Sequence, residues 1–93
     1  MVVGVITLEL LLAGAESLKD KRKVLKSLIE RLKHRFNISV AEVGRQDNWK
    51  YSTVGISAIS GDFAYMQNIL DSVVRFVENH EGVEVIGMER ELL

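Results

Sequence analysis

Val2 to Ala13 (VVGVITLELLLA) is the stretch that most narrows the possible folds. It is rich in β-branched residues and too apolar for a strand with one wet face, so it belongs at the centre of a sheet. Alternation puts Ile6, Leu8, Leu10 and Leu12 on one face and Val3, Val5, Thr7, Glu9 and Leu11 on the other. The run resembles a signal peptide in ending at Ala13-Gly14-Ala15, but no Lys or Arg precedes it, Glu9 interrupts it, and it is too short to span a bilayer. A strand of a cytoplasmic protein without a membrane partner is the expectation.

A helix follows. Ser17-Leu18-Lys19-Asp20 is a capping-box pattern, with the Ser17 hydroxyl and the Asp20 carboxylate able to take free backbone N–H groups. Leu18, Leu25, Leu28, Ile29, Leu32 and Phe36 form an apolar stripe. Lys19, Arg22, Lys23, Lys26 and Lys33 fall on the arc flanking and facing away from it. Asn37 suits a left-handed helix terminator. Eight of the twelve Lys and Arg residues lie between Ser17 and Phe36, opposed only by Asp20 and Glu30, so this segment carries +6 in a chain of net charge −1. From Asp62 onward the balance is −5. The chain is electrically polarised along its length.

Asn37 to Arg45 and Lys50 to Ser60 are expected as two strands of a hairpin joined by Gln46-Asp47-Asn48-Trp49. Val54, Ile56 and Ala58 share the core face, and Thr53, Gly55, Ser57 and Ile59 the other. Asp62 caps a second helix running to about His80, with the stripe Met66, Ile69, Leu70, Val73 and Val77, and Gly82 fits its C′ position. Gly82 to Leu93 makes a last strand. The order βαββαβ in 93 residues points to a single α+β domain, 1–93. Its form is a ferredoxin-like sandwich, a four-stranded antiparallel sheet with two helices on one face and strands one and three at the centre.

This topology gathers the charges. The first turns of the basic helix, with Lys19, Lys21, Arg22 and Lys23, are expected at the same edge as the hairpin residues Arg45, Trp49 and Lys50, with Lys26 one turn further on. Cations there oppose the helix dipole, a conflict that a bound anion relieves. Phosphate contacts beside an indole point to RNA, and Trp49 has the alternative role of a lid over the core edge. Lys33 and Arg35 lie at the far end and count as solvated charge. The sheet lacks the aromatics of an RNA-recognition module, so any such contact should use the helix. On the open sheet face, Val3, Val5, Leu11, Thr53, Ser57 and Ile59 form a partly apolar surface suited to a homodimer.

Catalysis finds little support. Cysteine is absent, His34 and His80 lack ligand-spaced partners, and no serine has a recognisable base, so no metal, cofactor or enzymatic activity is expected. The leading expectation is a non-enzymatic protein that binds RNA or the ribosome through Lys19, Lys21, Arg22, Lys23 and Lys26. The alternative is an interaction module recognising an acidic protein.

The segments Ser17 to Leu28 (SLKDKRKVLKSL), Phe36 to Val43 (FNISVAEV) and Gln46 to Trp49 (QDNW) closely resemble the YlxP-like family of small bacterial proteins, a domain of unknown function. The resemblance covers essentially the whole chain and implies a ferredoxin-like fold and a cytoplasmic location. Its genes often neighbour those of translation initiation and ribosome maturation, which implies an RNA or ribosome context. It brings no catalytic residues. Its recurring positions are matched by Ser17, Leu18, Lys19, Lys21, Arg22, Glu42, Asp47 and Trp49, whereas Gly44-Arg45 replaces a frequent acidic-histidine pair.

Overall fold

The computed structural model describes residues 1–93. Its elements are β1 (Val2–Leu11), α1 (Leu18–Arg35), β2 (Ser39–Gly44), β3 (Tyr51–Ser60), α2 (Phe63–Glu78) and β4 (Glu84–Leu92). The sheet order is β2-β3-β1-β4, every neighbouring pair antiparallel, as expected for a ferredoxin-like sandwich. No helix is long and apolar enough to cross a membrane.

The alternation in β1 explains its central place. Ile6, Leu8 and Leu10 are fully buried beneath the helices. They meet Val54, Ile56 and Ala58 of β3 from within the sheet, and Leu25, Leu28 and Leu32 of α1 with Met66, Leu70, Val73 and Val77 of α2 from above. The register carries this division across the sheet: Val5 faces Ser57 and Thr7 faces Gly55, so Val3, Val5, Leu11, Thr53, Ser57 and Ile59 all lie on the side away from the helices. β1 ends two residues before Ala13, although the Leu12 amide still donates to the Lys50 carbonyl at 2.8 Å.

Gly4 permits the close approach of α2. A Cβ there would lie 2.7 Å from Met66 Sδ and 3.1 Å from Leu70 Cδ1. Gly4→Ala is therefore expected to lower the unfolding free energy by about 1 to 3 kcal/mol, the usual range for overpacking a core. Urea denaturation checks this, and a variant as stable as the parent would mean that Met66 moves aside freely.

The helix ends differ in part from expectation. Ser17 Oγ accepts from the Asp20 amide at 3.1 Å, and Asp20 Oδ2 accepts from the Glu16 amide at 3.1 Å, so the cap forms from the anticipated pair. Asp62 likewise caps α2 through the Tyr65 amide. Asn37 does not adopt a left-handed conformation; α1 ends on an extended Phe36, and the one non-glycine residue at positive φ is Arg45, at 57°. Gly82 is left-handed, at φ 85°, but Asn79 ends α2, so Gly82 serves the turn into β4 instead of the C′ position.

The two helices are staggered. A Cβ on Gly82, beyond the end of α2, would sit 3.5 Å from Val24 in the middle of α1. Phe36, beyond the end of α1, packs edge-on against Phe76 of α2 with ring centroids 5.9 Å apart. The C-terminal two thirds of α1 thus lie beside the C-terminal part of α2.

Candidate nucleic-acid interface

Lys21 is the first correction to the expected site. Its spacing from Leu25, Leu28 and Leu32 places it on the inward stripe of α1, and it is wholly buried. Its ammonium donates to the carbonyl oxygens of Arg45 at 2.6 Å, Tyr51 at 2.7 Å and Asn48, and pairs with Glu42 Oε2 at 3.0 Å. Ser52, also buried, donates to the same Glu42 oxygen at 2.6 Å. A buried ammonium is tolerated only when its donors and charge are met in this way. Lys21 therefore cannot reach a phosphate, and instead ties the β2–β3 connection to the start of α1.

Arg45 and Lys50 are also not where the charge argument wanted them. Arg45 Nε lies 3.6 Å from Glu9 Oε2, and its guanidinium stands 5.3 Å from the centre of the Tyr51 ring, which Lys50 also approaches at 5.9 Å. Tyr51 pairs with Leu11, and Glu9 accepts from Thr53 Oγ1 at 2.8 Å, all on the open face. The hairpin backbone meets α1, but these two cations turn to the opposite side of the sheet. Trp49 is 46% exposed on the hairpin.

Lys19, Arg22, Lys23 and Lys26 are exposed, as are Arg31, Lys33 and Arg35. None has a carboxylate within 4.0 Å; the three ion pairs of the structure are Lys21–Glu42, Arg45–Glu9 and Arg90–Asp71. The first turn of α1 is closed by its own Ser17 and Asp20, which weakens the case for an anion seated on the helix end.

A concavity lies further along. A groove of about 770 Å³ is lined on α1 by Lys23, Lys26, Arg31, His34 and Arg35 and on α2 by Phe76, with Glu30 its acid. An adjoining groove of about 620 Å³ shares Arg31, Arg35 and Phe76 and adds Arg75 and His80, with Glu81 its acid. Arg35 is not ordinary solvated charge, since its guanidinium lies 5.8 Å from the ring centres of both Phe36 and Phe76. His80 Nδ1 lies 3.0 Å from the Glu81 carbonyl, and its buried Nε2 has no partner. Arg31, Arg35 and Arg75 were missed by sequence reasoning, although Phe76, apolar yet off the α2 stripe, signalled a neighbour on that side. No three His, Asp or Glu groups come together where they could hold a metal ion.

Comparison with known proteins finds a family model, described as "Protein of unknown function (DUF503)", that matches residues 3–90. The uncharacterized protein YlxP of Bacillus subtilis (strain 168) is 34% identical over 82 residues, spanning 88% of this chain and 89% of that protein. Among solved structures, the de novo designed protein Foldit4 has a TM-score of 0.55 at 17% identity, over 100% of this chain and 97% of its own, a likeness of fold alone. A putative chlorite dismutase, TA0507, has a TM-score of 0.47 at 13% identity, over 98% of this chain and 43% of its own, too low to bear on function.

Proposed function

We propose that this chain, which belongs to the DUF503 family of proteins of unknown function, binds the phosphate backbone of RNA, free or within the ribosome, through the outer face of α1. The observation that carries this reading is the set of seven exposed α1 cations without a carboxylate partner, on a protein whose net charge is −1. A protein of mixed charge ordinarily neutralises its surface locally, and so concentrated an uncompensated face attracts a polyanion and its condensed counterions.

Lys19, Arg22, Lys23 and Lys26 track one strand of phosphates, and Arg31 and Arg35 continue it into the groove beside α2. Arginine forks suit paired phosphate oxygens better than lysine does. Trp49, exposed on the hairpin near the start of α1, supplies a stacking surface for an unpaired base. Lys21 contributes by fixing that hairpin and touches no ligand. The role is binding, without a chemical step.

Co-sedimentation of the purified protein with ribosomal subunits and with extracted ribosomal RNA tests the proposal. Association at low salt that fades as salt rises is the expected result, and free protein at low salt with both would refute it. Capture of an acidic protein that survives nuclease treatment, without RNA binding, would favour a protein partner instead. Trp49→Ala is expected to change stability by less than about 1 kcal/mol while weakening binding to single-stranded RNA by about five- to 150-fold, the usual effect of losing one base stack. Thermal unfolding and fluorescence anisotropy separate the two effects.

A further inference from the structure

We propose that the open face of the sheet is the interface of a two-fold homodimer, with the strands of the two copies running alongside one another and β4 of each copy lying over the β2–β3 edge of the other. Three features of this face argue for a second copy as the occupant. Its charges are unequally placed, its relief leaves room for side chains of a copy, and its size approaches that of a standard interface.

The register fixes the charge pattern. Leu11 pairs with Tyr51 on one side and with Glu84 on the other, so Tyr51, Leu11 and Glu84 form one row across the sheet. Arg45 and Lys50 stand over Tyr51 at the β3 end of that row, and Glu84 stands at the β4 end. Further along β4, Glu89 and Glu91 pair with Thr7 and Val5 and so share the same face. Base thus collects at the hairpin, where Glu9 pairs with Arg45 and leaves Lys50 without a carboxylate, and acid collects along β4. Turning a second copy about an axis parallel to the strands keeps the two ends of the sheet in place and exchanges its sides. Glu84 then faces the partner's Lys50, the hairpin cation without a carboxylate, twice over by symmetry. An axis across the strands would instead lay β4 on β4, acid against acid, which like-charge repulsion disfavours.

The relief leaves room for a copy as well. Small residues leave a hollow of about 300 Å³ over Ser39, Ala41, Gly55 and Ser57, bordered by Val5. Val43, bulged out of the β2–β3 pairing, stands beside it, since a Cβ on Gly55 would lie 3.2 Å from Val43 Cγ1. Ile59 stands two residues beyond Ser57 on β3. These two aliphatic side chains are 60% and 67% exposed. Under the axis parallel to the strands, β3 lies over the partner's β1 and β2 over its β4, so Ile59 packs on the partner's β1 and the hollow receives side chains of the partner's β4, as inner faces of stacked sheets interdigitate. Three strands of nine or ten residues, about 30 Å long, and the six-residue β2, all about 4.8 Å apart, give a flat area of about 500 Å², which standing side chains raise toward the roughly 800 Å² per partner of a standard interface. The dimer would carry its two basic α1 faces on opposite outer surfaces, a bivalent arrangement.

Sedimentation of the full chain over a range of concentrations tests this, with circular dichroism confirming the fold of each variant. The wild type is expected at two-chain mass at about 50 µM, within the range of ordinary homodimers. Ile59→Lys should weaken association at least about tenfold. Glu84→Lys and Lys50→Glu should each weaken it, and the double exchange should regain affinity to within about threefold of the wild type. A single-chain mass at every concentration would overturn the proposal. So would a dimer indifferent to Ile59→Lys and to both charge exchanges, which would place the contact on another surface. Neither result depends on whether α1 binds RNA.

Discussion

Replacing Lys21 by methionine is expected to lower the unfolding free energy by about 3 to 5 kcal/mol, the range seen when one partner of a buried ion pair is removed. Methionine keeps most of the aliphatic stem, so the loss comes from the ammonium. Without it, the carbonyl oxygens of Arg45, Asn48 and Tyr51 lose their shared donor, and Glu42, 19% exposed at its side chain, keeps only Ser52. In a domain of this size each kcal/mol shifts the melting temperature by roughly 4 to 8 °C, so a drop of at least about 12 °C is expected. Adding Glu42→Leu should recover part of it by removing the orphaned charge, but not all, because the hairpin carbonyls stay unmet. Hydrogen exchange of the single variant should rise first between Arg45 and Tyr51. A loss below about 1 kcal/mol would mean that water enters and replaces the ammonium, and that the hairpin does not depend on it.

Removing the cations of the groove is expected to have the larger effect on binding. Each phosphate contact contributes a salt slope of about 0.7 to 0.9, so at about 0.1 M salt it is worth about five- to eightfold in affinity through counterion release. Changing Lys23, Lys26, Arg31 and Arg35 together to glutamine should therefore weaken RNA binding by about a thousandfold. All four are exposed and free of ion pairs, so little stability rests on their charges. Arg35 is the exception, because its guanidinium covers Phe36 and Phe76, and its replacement should loosen that contact modestly. Filter binding measures the affinity and thermal unfolding the stability. A fourfold variant that binds as tightly as the parent would remove the groove from the interface.

The alternation in β1 and β3 and the helical stripes made the layers legible, because burial on one side leaves a periodic trace. The open-face set from Val3 to Ile59 followed from the same alternation and holds in the register. Lys21 shows how a site is misjudged: counted by charge it joins the phosphate contacts, but counted by spacing it stands with Leu25, Leu28 and Leu32 on the buried side. What no spacing could show is the convergence of three hairpin carbonyls on its ammonium. That depends on a turn in which Arg45, at φ 57°, reverses the chain. The groove was hidden for a similar reason, since the stagger that brings Arg31 and Arg35 beside Arg75 and Phe76 is a property of how two helices dock. The family model matches residues 3–90, nearly the whole chain, so the span of the resemblance read from the sequence holds. In this chain Lys21 and Glu42 have a structural reason before any functional one.

The dependence of RNA affinity on salt tests the central claim most directly. For the wild-type protein and ribosomal RNA, a plot of log K against log salt concentration should be linear with a slope between about −3 and −6, bounded by the exposed cations of α1. A slope near zero, or no binding at low salt, would contradict the account and leave the basic face of α1 as solvated charge.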